Sequence, residues 1–234
     1  MDLLSVKGIP ITMNNQNILK LVQTLDPLFP IGGYTLSNGM ETYVQKGIVY
    51  DYKTLAAYLD SYLYMLSFND LAFAAKAYEV EDIAKLDLLC SSLKAPIEIR
   101  QGSIKQCSRF LKLHTKMNSY PRLIQYQNQI KNGECEGHYG ISMGLFIKEL
   151  NINLQEALEL YCYSLISTAV NHAVKMVPLR QLDGQIAIYE LMEHIPKAVT
   201  TAINTKMMDL GASGCGFDIR SMQHETLYTR LYIS

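Results

Sequence analysis

The sequence predicts an all-α protein: a single-domain helical bundle around a central apolar helix, with a flexible C-terminal tail. Three observations predict it. Apolar residues recur at steps of three and four along most of the chain, which is the spacing of one helix face. Period-two alternation is scarce, and no Asn-Gly pair joins two strand-like runs, since Asn38-Gly39 and Asn132-Gly133 both adjoin helical patterns. Helix starts and stops are marked by capping residues and prolines at suitable places.

The elements follow in chain order. Asp51 is placed to cap a helix through Leu55, Tyr58, Leu59 and Tyr62. Pro96, Pro121 and Pro196 each stand where a first-turn proline is tolerated, because its missing N–H would have had no partner. They predict helices over 97–117, 121–131 and 196–209. Gly137 to Gly140 leads into an apolar run from Ile141 to Leu150. The strongest row is Leu154, Leu158, Tyr161, Leu165, Ala169, Ala173 and Val177, opened by Asn153 with Glu156 three residues on and closed by Pro178. Tyr163, Ile166 and Val170 make the opposite face apolar as well, which places this helix at the centre. Asp183-Gly184-Gln185 reads as a turn that starts a further helix. Gly211 to Gly216 interrupts the pattern. The organisation is therefore a loose segment 1–12, one all-α domain 13–210, and a linker with an interaction tail, 211–234.

Composition narrows the function. In 234 residues, 21 Lys and Arg balance 22 Asp and Glu, so nothing draws the chain to nucleic acid or an anionic membrane. Charged residues make up 18%, below the usual quarter, and hydrophobic residues 49%. A surface so short of charge is expected to meet another protein. The 5 cysteines are an odd number without a Cys-x-x-Cys, which argues against a disulfide framework and a thiolate zinc knuckle. Met1 to Pro10 carries Asp2 and no long apolar core, so it does not read as a signal peptide. Leu160 to Val174, the least polar stretch, is broken by Ser164, Ser167, Thr168, Asn171 and His172, and is no membrane span. The expected location is the cytoplasm.

No motif carries catalysis. Gly211–Gly216 lacks the Gly-Lys-Ser/Thr ending of a phosphate loop, so a linker is expected there. Gly32-Gly33 reads as a turn after Pro30 that uses positive φ. Glu134-Cys135-Glu136-Gly137-His138 gathers four possible metal ligands, against which stands an exposed acidic turn before a helix. His224-Glu225 lacks the second histidine of a zinc helix, while His114, His172 and His194 stand singly. No nucleophile elbow or cysteine-protease signature occurs. The expectation is a non-enzyme with no catalytic residue, no metal ligand and no cofactor.

Three segments together resemble the UreF family of urease accessory proteins. The first is Phe29-Pro30-Ile31-Gly32-Gly33-Tyr34-Thr35 with Ser37, Gly39 and Glu41. The second is Val174-Lys175-Met176-Val177-Pro178-Leu179 with Gln181 and Asp183-Gly184-Gln185. The third is Ser221-Met222-Gln223-His224-Glu225, then Leu227-Tyr228 and Arg230-Leu231-Tyr232 up to Ser234. The likeness runs from about Asn17 to the last residue. It implies a dimeric all-α scaffold for nickel insertion into apo-urease, one that joins a second accessory protein (UreD, called UreH in some systems) to the GTPase UreG. It also assigns Tyr34 and Arg230 to recruiting the GTPase, with Leu231, Tyr232 and Ser234 beside them, and Lys175 to an interface or an ion pair.

The tail from Phe217 to Ser234 is expected to be mobile alone and to order on a partner, with Leu227, Tyr228, Leu231 and Tyr232 along one helical face. On the residues alone, two other functions stay open. One is a nickel carrier acting through Cys135, His138 or His224; the other is an all-α enzyme with an unrecognised site.

Overall fold

The computed structural model describes residues 15–212 and 214–232. The expected loose segment 1–12, and Ser234, lie outside them. Among the described residues there are twelve α-helices and no strand. They are α1 (Asn15–Leu25), α2 (Met40–Gln45), α3 (Tyr52–Leu66), α4 (Asp70–Glu79), α5 (Ile83–Leu93), α6 (Ile97–Met117), α7 (Pro121–Lys131), α8 (Tyr139–Leu150), α9 (Leu154–Met176), α10 (Gln181–Leu191), α11 (Ile195–Asn204) and α12 (Cys215–His224). None of these is long and apolar enough to cross a membrane.

Local signals set the boundaries of several helices. Asp51 accepts a hydrogen bond from the Thr54 amide while the Thr54 hydroxyl accepts one from the Asp51 amide, a capping box at α3. Asn153 caps α9 through the Glu156 amide. Both α6 and α7 span the expected residues, although Pro96 sits just before the first turn of α6 rather than inside it. Two expectations need correction. The helix expected to reach residue 209 ends at Asn204, because Thr205 turns to extended backbone and its buried hydroxyl bonds to Thr201 O at 2.8 Å. Asp183 opens no new turn: it already lies within α10, where its carboxylate accepts from the Arg180 amide at 2.9 Å.

Helix α9 is the centre that its two-sided apolar pattern demands. It buries Leu158, Tyr161, Cys162, Ile166, Ala169, Val170 and Ala173, and α1, α2, α3, α4, α8, α10 and α11 all pack on it. Tyr163, read as part of a second buried face, is instead 41% exposed. Helices α4 and α8 pack along each other extensively, and glycine makes the close approach possible. A Cβ on Gly144 would stand 2.1 Å from the Ala74 carbonyl oxygen, and one on Gly140 would stand 3.0 Å from that of Asp70.

The C-terminal helix α12 lies against α2 and α6. Gly39 lets it come close: with φ +79° it turns the chain into α2, and a Cβ there would meet the Ser221 hydroxyl at 2.5 Å. Phe217 inserts among Tyr43, Tyr58 and Tyr62, its ring centroid 5.5 to 5.9 Å from theirs. From Glu225 to Tyr232 the described chain is not helical. Tyr228 is fully exposed and Leu231 is 64% exposed, whereas Tyr232 is buried. The amides of Leu231 and Tyr232 are taken by the Glu41 carboxylate instead of by carbonyls one turn back.

Candidate partner-binding surface

Three distant parts of the chain meet at one shallow depression of about 270 Å³, lined by Tyr34, Thr35, Lys175, Leu231 and Tyr232. Tyr34 lies on the short turn Gly33–Thr35, set up by Gly32 at φ +84°, as the paired glycines suggested. Lys175 comes from the last turn of α9 and places its Nζ 5.5 Å above the Tyr34 ring centroid, a cation–π contact. Its exposed ammonium and the exposed Leu231 side chain face solvent.

His172 backs two of these residues. Its Nε2 lies 3.2 Å from Tyr34 O, its ring meets Tyr34 edge-on at 6.1 Å, and it packs against Tyr232 at 4.5 Å. Burial pushes its imidazole down to about 4, so it is neutral at pH 7 and acts as a packed aromatic that fixes two phenol rings. The Tyr232 phenol is held up by burial and, second, by nearby Glu41.

The segment carrying Arg230, Leu231 and Tyr232 is tied down by charge. Glu41 accepts from the amide of Leu231 at 2.7 Å and from that of Tyr232 at 3.1 Å. Gln45, one turn further along α2, donates to Thr229 O at 2.8 Å. Arg230 Nη1 donates to Glu98 Oε1 at 2.7 Å, with 40% of its side chain still exposed. His224, wholly buried, stands between the two acids: Nδ1 is 2.7 Å from Glu98 Oε2 and Nε2 is 3.2 Å from Glu41 Oε2. Tyr34, Lys175, Leu231 and Tyr232 thus converge, and Arg230 sits beside them on the same strap. Sequence reasoning missed Glu98 and left His172 unassigned. The available signal was an acid in the first turn of α6.

The acidic turn around Cys135 and His138 reads differently in three dimensions. Its two acids, Glu134 and Glu136, are exposed as expected, while Cys135, Gly137 and His138 are buried, and Asp87 holds the backbone by accepting from the amides of Glu136 at 2.7 Å and Gly137 at 3.1 Å. Cys135 is buried and its thiol is pushed up to about 12 by that burial. Burial drives the His138 imidazole down to about 3, and its ring nitrogens lie 2.8 Å from Ser91 Oγ and 3.3 Å from Ser103 Oγ. Among the described residues, no group of three or more His, Cys, Asp and Glu side chains is arranged to hold a metal ion. This turn is a structural core device.

Comparison with known proteins agrees along nearly the full length. A family model described as UreF matches residues 49–192. A urease accessory protein UreF of Actinobacillus pleuropneumoniae serotype 5b (strain L20) is 36% identical over 221 residues, covering 92% of this chain and 97% of that protein. The protein of the same name from Haemophilus influenzae (strain PittEE) is 33% identical over 221 residues, covering 92% and 94%. One from Arthrobacter sp. (strain FB24) is 28% identical over 217 residues, covering 92% and 96%.

Proposed function

Since the chain belongs to the UreF family of urease accessory proteins and so serves urease maturation, we propose that it is a non-enzymatic scaffold in that process. In this reading it joins the accessory protein UreD/UreH to the GTPase UreG in the cytoplasm and supports GTP-dependent nickel insertion into apo-urease. The observation that carries the proposal is the meeting of Tyr34, Lys175, Leu231 and Tyr232, from three separate parts of the chain, on one open depression. Aromatic rings, a cation and an exposed leucine are what a protein partner grips, and the small open volume does not suit an enclosed substrate.

Residues 211–234 act as the interaction tail, with Arg230 at its edge. A guanidinium can grip a carboxylate of the GTPase with two parallel hydrogen bonds. Homodimerisation belongs to the same reading and rests on the charge-poor composition; a monomer in light scattering at about 50 µM, well above ordinary interface dissociation constants, counts against it. Size-exclusion chromatography with purified UreD/UreH and UreG is the direct test. Arg230→Ala should keep the pair with UreD/UreH and lose the GTPase. If that variant recruits UreG and activates urease like the parent, the assignment of this surface fails.

A further inference from the structure

We propose that His224 is a positioning residue for this surface: as an imidazolium gripped by Glu41 and Glu98, it pins the Thr229–Tyr232 strap beside Tyr34 and Lys175. The proposal rests on the reading of that surface as the partner site.

The geometry demands a charged ring. A neutral imidazole has one N–H and one bare nitrogen, whereas ionised carboxylate oxygens only accept. Both nitrogens of His224 lie within hydrogen-bond distance of carboxylate oxygens, at 2.7 and 3.2 Å. Only the doubly protonated ring can donate to both. The surroundings agree. The side chains of Glu41 and Glu98 are 7% and 17% exposed, so two largely buried negative charges need compensation. Imidazolium and Arg230 supply two positive charges against these two, and without the ring proton the cluster is one charge short. Glu98 stands in the first turn of α6 and His224 at the last residue of α12, the helix ends that favour an anion and a cation respectively.

The pin acts on the strap through its neighbours. Glu41 from α2 shares one carboxylate between His224 and the two strap amides, and Glu98 from α6 shares its own between His224 and Arg230. On α12 the nearest cation is Arg220, whose guanidinium is 5.9 Å from the Tyr43 ring centroid and bonds to Gln223. From the other side Tyr232 rests on His172, which carries no charge to oppose the imidazolium. Without His224 each carboxylate loses one of its donors, so the strap loosens.

Amide exchange of the purified full chain tests this. Protection factors for Leu231 and Tyr232 are compared between the unaltered chain, His224→Gln and Glu98→Gln. Amides of α9 serve as the monitor of the whole fold. We expect strap protection to fall roughly ten- to a hundredfold in His224→Gln, the factor set by one charge-assisted hydrogen bond, while α9 stays constant. Glu98→Gln, a milder change at the more exposed acid, should lower it in the same direction. Unchanged strap protection in either folded variant overturns the pin, and the Glu98→Gln arm holds even if His224→Gln does not fold. UreG recruitment by the same samples separates the two ideas. A loosened strap with full recruitment supports the pin but sinks the partner reading. Lost recruitment over an undisturbed strap overturns the pin.

Discussion

Two buried histidines flank the partner surface and are held in opposite ways. His172, in the middle of the central helix, has a backbone carbonyl on one nitrogen and aromatic rings on its faces, and burial keeps it neutral. His224, at the end of α12, has a carboxylate on each nitrogen. The other buried histidines of the helical body follow the first pattern. His114 packs among Phe110, Phe146 and Tyr120, and His138 sits among serines, both depressed by burial. The strap follows the second, with Glu41, Glu98, Arg230 and His224 supplying its attachments. Losing a packed contact in the body costs about 2–5 kcal/mol and is felt by the whole fold. The strap hangs on a few polar attachments and one ring contact, so a change there should act locally.

Acid should test that contrast most strongly. His114, His138 and His172 are depressed to about 4, about 3 and about 4, below the unfolded value near 6.5. A depressed histidine contributes stability that is fully present above the unfolded value and is lost as pH falls toward the folded one. Each should take away about 2 kcal/mol between pH 7 and pH 5. Urea unfolding at the two pH values measures the sum. An equal midpoint at both would show that these rings are not buried neutral, and the contrast with the strap, where the histidine nitrogens face carboxylates, would collapse.

A substitution inside the body comes next in size. Gly144→Ala drives a Cβ to within 2.1 Å of the Ala74 carbonyl, and backbone cannot yield as a side-chain end does. The cost should be about 3 kcal/mol, at the upper end for overpacking. Gly140→Ala, with 3.0 Å to the Asp70 carbonyl, should cost less. Thermal melts of the two variants sharpen the claim that α4 and α8 are set by close backbone approach; equal, small losses would break it.

The smallest effect on stability should come from the surface. Lys175→Ala removes one exposed cation–π contact, worth about 0.5–1 kcal/mol. Its effect on UreG binding should exceed its effect on folding, with affinity about tenfold weaker if Lys175 is an energetic centre of the interface. Calorimetric titration beside a urea melt reads both. A variant that loses stability but binds normally would move Lys175 from the partner surface to the body.

The helical framework was legible because its determinants are local. Asp51 and Thr54, Asn153 and Glu156, and Pro121 at the first turn of α7 each act within four residues, and the apolar rows of α9 repeat within one turn. Such signals survive in a linear reading because the physics that uses them is equally short-ranged. The resemblance to UreF named Tyr34, Lys175, Arg230, Leu231 and Tyr232 before any geometry was known. What sequence could not supply was how they are held. Glu41 lies 183 residues from His224, and Glu98 lies 126 from it. The last turn of α9 reaches Tyr34 only after the bundle has closed. The strap shows the same division. Leu227, Tyr228, Leu231 and Tyr232 have helical spacing, while the amides of Leu231 and Tyr232 are held by a carboxylate from α2. Local propensity decided the helices, and long-range competition for two backbone amides decided the end of the chain.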